Sequence, residues 1–263
     1  MPKIAITGKG GVGKTTLTAL LAWVYAERGE DTIAIDADPA GNLAMALGVP
    51  TELQERLRPI AQMEQLIYER TGARPGSMGG WFKLNPKVDD LPEALSVVHR
   101  GIKLLRLGSV RGAGAGCLCP ENALLKALVT HLLLRPGQTL LLDMEPGVEH
   151  LGRGTAGAVD ALVIVVEPGL RSLGVARQIQ QLARQIGVQK LYLAANKVRG
   201  PEDEEFIRQH GPELPLLGSL PWSSHALEAD QAGKAILDQA PELLLAAQRI
   251  ADAFGSCSEA SGR

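Results

Sequence analysis

Hydrophobic positions along this chain come in short runs that do not alternate with polar ones. Residues 3–7, 32–36, 140–143, 161–166 and 191–195 are dominated by Ile, Val, Leu and Ala. A half-exposed strand alternates apolar and polar residues, whereas a strand covered on both faces does not. The five runs therefore predict buried strands of a parallel sheet. Between them, residues 15–28, 121–134, 173–186 and 241–254 read as helices, as crossovers packed on such a sheet require. The fold class is α/β, a doubly wound, mostly parallel sheet flanked by helices. Residues 96–99 and 102–107 flank Arg100-Gly101 and predict a hairpin or two consecutive strands. Residues 71–90, with Gly72, Pro75, Gly76, Gly79, Gly80 and Pro86, read as a loop insertion and not a second domain. A single domain over 1–254 and a flexible tail over 255–263 are expected.

The first run leads directly into Gly8-Lys9-Gly10-Gly11-Val12-Gly13-Lys14-Thr15. This fits G-x-x-x-x-G-K-[ST] between a strand and a helix, the signature of a P-loop NTPase. The glycines let successive backbone N–H groups curve around an anion, and the following helix adds its positive dipole end. Residues Gly10, Gly11, Val12, Gly13, Lys14, Thr15 and Thr16 are thus expected to bind ATP/ADP. Lys14 reaches the β- and γ-phosphates, and the Thr15 hydroxyl sits on magnesium. Two further runs end in carboxylates at the same edge of the sheet. Asp143 closes Leu140-Leu141-Leu142 and is the acid expected to hold the magnesium shell. Asp36 and Asp38 follow residues 32–35, where Asp36 either approaches magnesium through water or caps the next turn.

Bulk properties narrow the function classes. A net charge of −2 over 263 residues offers no clustered basic surface for nucleic acid, and three each of Phe, Tyr and Trp leave little for base stacking. Pro2 and Lys3 precede an apolar run too short for a signal sequence, so a cytoplasmic protein is expected. No apolar stretch approaches the roughly 20 residues that cross a bilayer. The cysteines are Cys117, Cys119 and Cys257, too few for a disulfide scaffold.

Lys9, directly after the first glycine of the loop, is not required by an ordinary phosphate cradle. The variant K-G-G-x-G-K-T resembles the deviant Walker A ATPases, which include the nitrogenase iron protein, the MinD and ParA ATPases and metal-centre maturation ATPases. That resemblance implies a homodimer in which Lys9 crosses to the partner's nucleotide. It also implies that Asp38 positions or deprotonates the attacking water, and that Glu145 and Gly147 belong to a second switch sensing the γ-phosphate. Asn196 then contacts the adenine, with Lys197 beside it and Pro221 in a second base-side loop. Residues alone leave GTP open, and Arg199 in place of a guanine-reading aspartate favours ATP.

Gly112-Ala113-Gly114-Ala115-Gly116 precedes Cys117-Leu118-Cys119-Pro120. Two thiolates two residues apart, next to a helix start that favours the ionised form, suit a soft metal. They complete half of a tetrahedral site, and a twofold dimer supplies the other half. Zinc and nickel both accept such ligands. With this pair, and with Asp-Met-Glu-Pro-Gly-Val-Glu-His-Leu-Gly-Arg at 143–153, the chain resembles the CooC-type accessory ATPases that help install nickel in carbon monoxide dehydrogenase. The resemblance covers almost the whole chain. It implies a metallochaperone carrying Ni2+ or Zn2+ on Cys117 and Cys119, with carbon monoxide dehydrogenase or acetyl-CoA synthase as client. An iron-sulfur scaffold ATPase is the nearest alternative. A membrane-cycling regulator would need an amphipathic anchor, which residues 251–263 lack.

Overall fold

The computed structural model describes residues 1–76, 81–108, 119–148, 151 and 156–260. Eight strands form one sheet: β1 (Lys3–Gly8), β2 (Thr32–Asp36), β3 (Val97–His99), β4 (Ile102–Arg106), β5 (Thr139–Asp143), β6 (Ala161–Val166), β7 (Leu191–Val198) and β8 (Leu216–Pro221). Their spatial order is β3-β4-β2-β5-β1-β6-β7-β8. Every neighbouring pair is parallel except β3 with β4. The chain winds to one side of β1 as far as β4, inserts β5, and then winds to the other side. That reversal opens a crevice at the carboxyl ends of the strands, the place where open α/β sheets bind ligands.

Continuous burial explains the unbroken apolar runs. Ile4, Ile6, Ala34, Leu141 and Val163 face one layer, while Ala5, Ile33, Ile35, Leu140, Leu142 and Ile164 face the other. The helices Lys14–Glu27 and Pro241–Ala260 cover the first face; Pro120–Leu134 and Leu170–Ile186 cover the second. Helix Leu170–Ile186 buries Leu173, Ala176, Ile179 and Ala183, the spacing of a one-sided helix.

The expected strands and helices are present, with differences at β8, β7 and the last helix. β8 was not expected: it is an edge strand in which Leu217 and Leu220 are buried, and Gly218 interrupts its apolar pattern. β7 runs past residue 195, so Asn196 and Lys197 lie inside the strand, at a register shift between Ala195 and Val198. The last helix continues to Ala260 where a tail was expected from 255; Cys257 falls in it, its side chain outside the described residues. The segment 96–107 resolves as an antiparallel hairpin, with Arg100 at φ 52° and Gly101 at φ 77° forming its two-residue turn. Among the described residues, 72–76 and 81–90 carry neither helix nor extended strand.

Candidate functional site

The site grows from three adjacent strand ends. In register, Asp143 of β5 lies opposite both Asp36 of β2 and Ile6 of β1, so two carboxylates stand side by side next to the loop that leaves β1. The backbone continues this alignment, with Ala37 N–H donating to the Asp143 carbonyl at 2.9 Å and Met144 N–H to Ile6 at 2.9 Å.

Within the loop, Val12 is buried in the core below, while Gly10 and Gly11 are exposed at the rim. Gly13 has φ 101°, and a Cβ there would lie 1.9 Å from Asn196 Nδ2. The Asn196 side chain occupies that space because its Nδ2 donates to the Val12 carbonyl at 2.7 Å. Its Oδ1 accepts from Lys197 N–H at 2.8 Å, so the amide expected at the adenine braces the phosphate loop here. Gly13→Ala meets both a left-handed backbone and a clash, and is expected to weaken ATP binding by about tenfold or more. A fluorescent-nucleotide titration checks this, and unchanged affinity would contradict it.

The carboxylates sit in unusual surroundings. Asp143 is fully buried, and its Oδ2 accepts from Thr15 Oγ1 at 2.7 Å and its Oδ1 from Thr18 Oγ1 at 3.4 Å. Burial pushes its pKa up to about 7, against the stabilising hydrogen bond from Thr15. Asp36, also buried, is pushed up to about 6 by desolvation, although Leu43 N–H donates to its Oδ2 at 3.0 Å. That bond caps the short helix Leu43–Ala46, one of the two roles expected of Asp36. Its Oδ1 is buried without a hydrogen-bond partner. Desolvated acids, an orphaned oxygen and the Thr15 hydroxyl are the donor set of a hard dication, so the residues fit magnesium. Lys14 is buried, its Nζ 3.9 Å from Asp38 Oδ2, while Asp38 Oδ1 accepts from Ala40 N–H at 2.9 Å. Thr16 follows in the helix, half-buried.

Two residues that sequence reasoning missed tie this centre together. Thr7, at the end of β1, donates its hydroxyl to the carbonyls of Glu145 at 3.1 Å and Gly147 at 2.9 Å, and accepts from Gly147 N–H at 3.2 Å. The proposed second switch is thus pinned to the strand that carries the phosphate loop. Glu167, just beyond β6, binds Lys9 Nζ at 3.0 Å through Oε1 and Lys197 Nζ at 3.0 Å through Oε2. Both residues resemble Asp36 and Asp143 in one respect that a sequence displays: each is a polar group at the carboxyl end of an apolar run.

The remaining candidates lie apart. Pro221 ends β8, three strands from β1, followed by Trp222 with the Arg199 guanidinium 5.9 Å from its ring. Cys119 caps the helix Pro120–Leu134, half-buried, its carbonyl accepting from Ala123 N–H at 3.1 Å. That helix packs on the face of the sheet opposite the helix of the phosphate loop. Cys117, the glycine run 112–116, and Glu149, His150, Gly152 and Arg153 lie outside the described residues. Among the described residues, no group of three His, Cys, Asp or Glu side chains is placed to hold a metal ion without other ligands, and no helix is long and apolar enough to cross a membrane.

A family model described as the CobQ/CobB/MinD/ParA nucleotide binding domain matches residues 3–236. The chain belongs to that family. Within the CobQ/CobB/MinD/ParA family it is 51% identical, over 91% of its length and 90% of the relative's, to the carbon monoxide dehydrogenase accessory protein CooC of Rhodospirillum rubrum. It is 41% identical, over 89% of its length and 90% of the relative's, to an uncharacterized ATP-binding protein of Methanocaldococcus jannaschii. The solved MinD cell division protein of Aquifex aeolicus superposes with a TM-score of 0.67 at 21% identity, covering 97% of this chain and 98% of that one. The chain is a P-loop ATPase of this family.

Proposed function

We propose that this chain is an accessory ATPase for carbon monoxide dehydrogenase that works in the cytoplasm as a homodimer, carrying nickel or zinc between Cys117 and Cys119 of two subunits and delivering nickel to its client. The observation that carries this reading is the 51% identity with CooC across nine-tenths of both chains. Lys14, buried below the loop, supplies the fixed positive charge for the transferred phosphoryl group. Asp38, less buried than Asp36, holds a carboxylate 3.9 Å from that ammonium and orients or deprotonates the attacking water. Asp143 and Thr15 would hold magnesium, which would supply positive charge to offset the charge developing on the phosphates. Thr7 links the phosphate loop to Glu145 and Gly147, so a displacement at the γ-phosphate position reaches the segment beyond β5. Cys119, at the N-cap of the helix Pro120–Leu134, would supply one of the two thiol ligands.

The test is activation of nickel-free carbon monoxide dehydrogenase with nickel, ATP and this protein. Wild type is expected to activate it, with ATP required, and the Cys117→Ser/Cys119→Ser variant to fail. Activation by that variant equal to wild type would remove the cysteines from the mechanism.

A further inference from the structure

We propose that Glu167 is a positioning residue for the nucleotide-driven pairing of two subunits: it holds the Lys9 ammonium within its own subunit until a partner's phosphates take it over. This rests on the reading that Lys9 acts across a dimer.

The geometry has three parts. First, the two lysines of the loop are drawn to opposite sides of β1. Lys14 leans to Asp38, beyond β2, and Lys9 to Glu167, beyond β6, at 3.9 Å and 3.0 Å. The Glu167 carboxylate thus holds Lys9 on the β6 side of the loop, in a pair that must open before the ammonium can reach another subunit. Second, Glu167 is fixed at both ends, because its backbone N–H donates to Ser172 Oγ at 3.1 Å while each carboxylate oxygen has its own lysine. Third, Lys197 is anchored independently of Lys9. Its Nζ also donates to the Gly11 carbonyl at 2.8 Å, and its backbone at φ 60° sits at the register shift of β7. A non-glycine residue rarely takes that conformation, and here it aims the side chain at the loop.

The arrangement makes the exchange inexpensive. When Lys9 leaves for phosphate oxygens, Glu167, whose side chain is 22% exposed, still has Lys197 opposite it. No partly buried carboxylate is left bare, which is the event that makes breaking such pairs costly. Lys197 thereby sets how readily Lys9 is given up, and Glu167 sets how firmly it is kept.

The variants therefore move in opposite directions. Glu167→Gln frees Lys9 in both subunits, and because each partly exposed pair is worth a few-fold, the dimer is expected to form at roughly tenfold lower protein concentration. Glu167→Asp retains the charge and stays near wild type. Lys197→Ala leaves Lys9 as the remaining lysine on Glu167 and raises the concentration needed. The measurement is sedimentation velocity across a protein dilution series with saturating non-hydrolysable ATP analogue, nucleotide affinity being titrated separately on the monomer. A Glu167→Gln protein that needs more protein to pair, in step with Lys197→Ala, would show that Glu167 merely supports the fold and would overturn the proposal. Lys9→Ala is the control: if it dimerises like wild type, the crossing role of Lys9 fails instead.

Discussion

Asp143→Asn is expected to raise the melting temperature of the nucleotide-free protein at pH 8 by roughly 5 °C while ending magnesium-dependent hydrolysis. The carboxyl is fully buried at the junction of β5 and the phosphate loop, and its pKa stands at about 7 against an ordinary 3.8. A raised carboxyl pKa means that folding disfavours the ionised form. Well below pH 4 the group is protonated whether the chain is folded or not, and it costs nothing. As pH rises from 4 toward 7 the unfolded chain ionises freely while the folded one resists, so stability falls and then levels off. Three units correspond to at most about 4 kcal/mol, and water in the open crevice reduces this to about 2. Asparagine keeps an oxygen for the Thr15 hydroxyl without the charge, so the gain should be full at pH 8 and vanish near pH 4. Equal melting of the two proteins at both pH values would show that the carboxylate carries no such strain. In the proposed mechanism a magnesium ion would offset the charge, so the same substitution is expected to stop the reaction.

Lys14→Ala is expected to lower ATP affinity on the order of a thousandfold, with the protein still folded. The ammonium is buried, and its nearest carboxylate is 3.9 Å away. Such a charge is poorly compensated by the protein alone and fits an incoming polyanion. Removing it takes away the main attraction for the β- and γ-phosphates and relieves a desolvation cost in the empty crevice. Calorimetric titration with ATP-Mg checks the affinity, and circular dichroism checks the fold. Binding within tenfold of wild type would dismiss Lys14 as the phosphate ligand.

The buried strands could be read from the sequence because central strands of a parallel sheet must be apolar on both faces, and residues 32–36 and 161–166 coincide with β2 and β6. β8 could not be read so, because an edge strand is covered on one side and Gly218 breaks what little pattern remains. The phosphate loop was legible because its backbone path demands glycine and its chemistry demands lysine and a hydroxyl in fixed order. Its bracing was not. That Gly13 must be glycine to admit Asn196, and that Glu167 spans Lys9 and Lys197, depend on residues over 150 positions apart meeting at one edge. Glu167 did leave a trace: it ends the apolar run 161–166 as Asp143 ends 140–142, but no motif marks it. Asn196 likewise carried the right composition for a base contact, and only its hydrogen bonds to Val12 and Lys197 reveal its structural task.

The shared thiolate site is tested most directly by the metal content and mass of anaerobically purified protein, measured in ADP and in a non-hydrolysable ATP analogue, beside Cys117→Ser/Cys119→Ser. The prediction is one nickel or zinc ion per pair of chains, with the metal absent from the double variant and its retention dependent on the nucleotide. Metal-free dimers, or metal retained by the double variant, would contradict a thiolate site shared between two subunits.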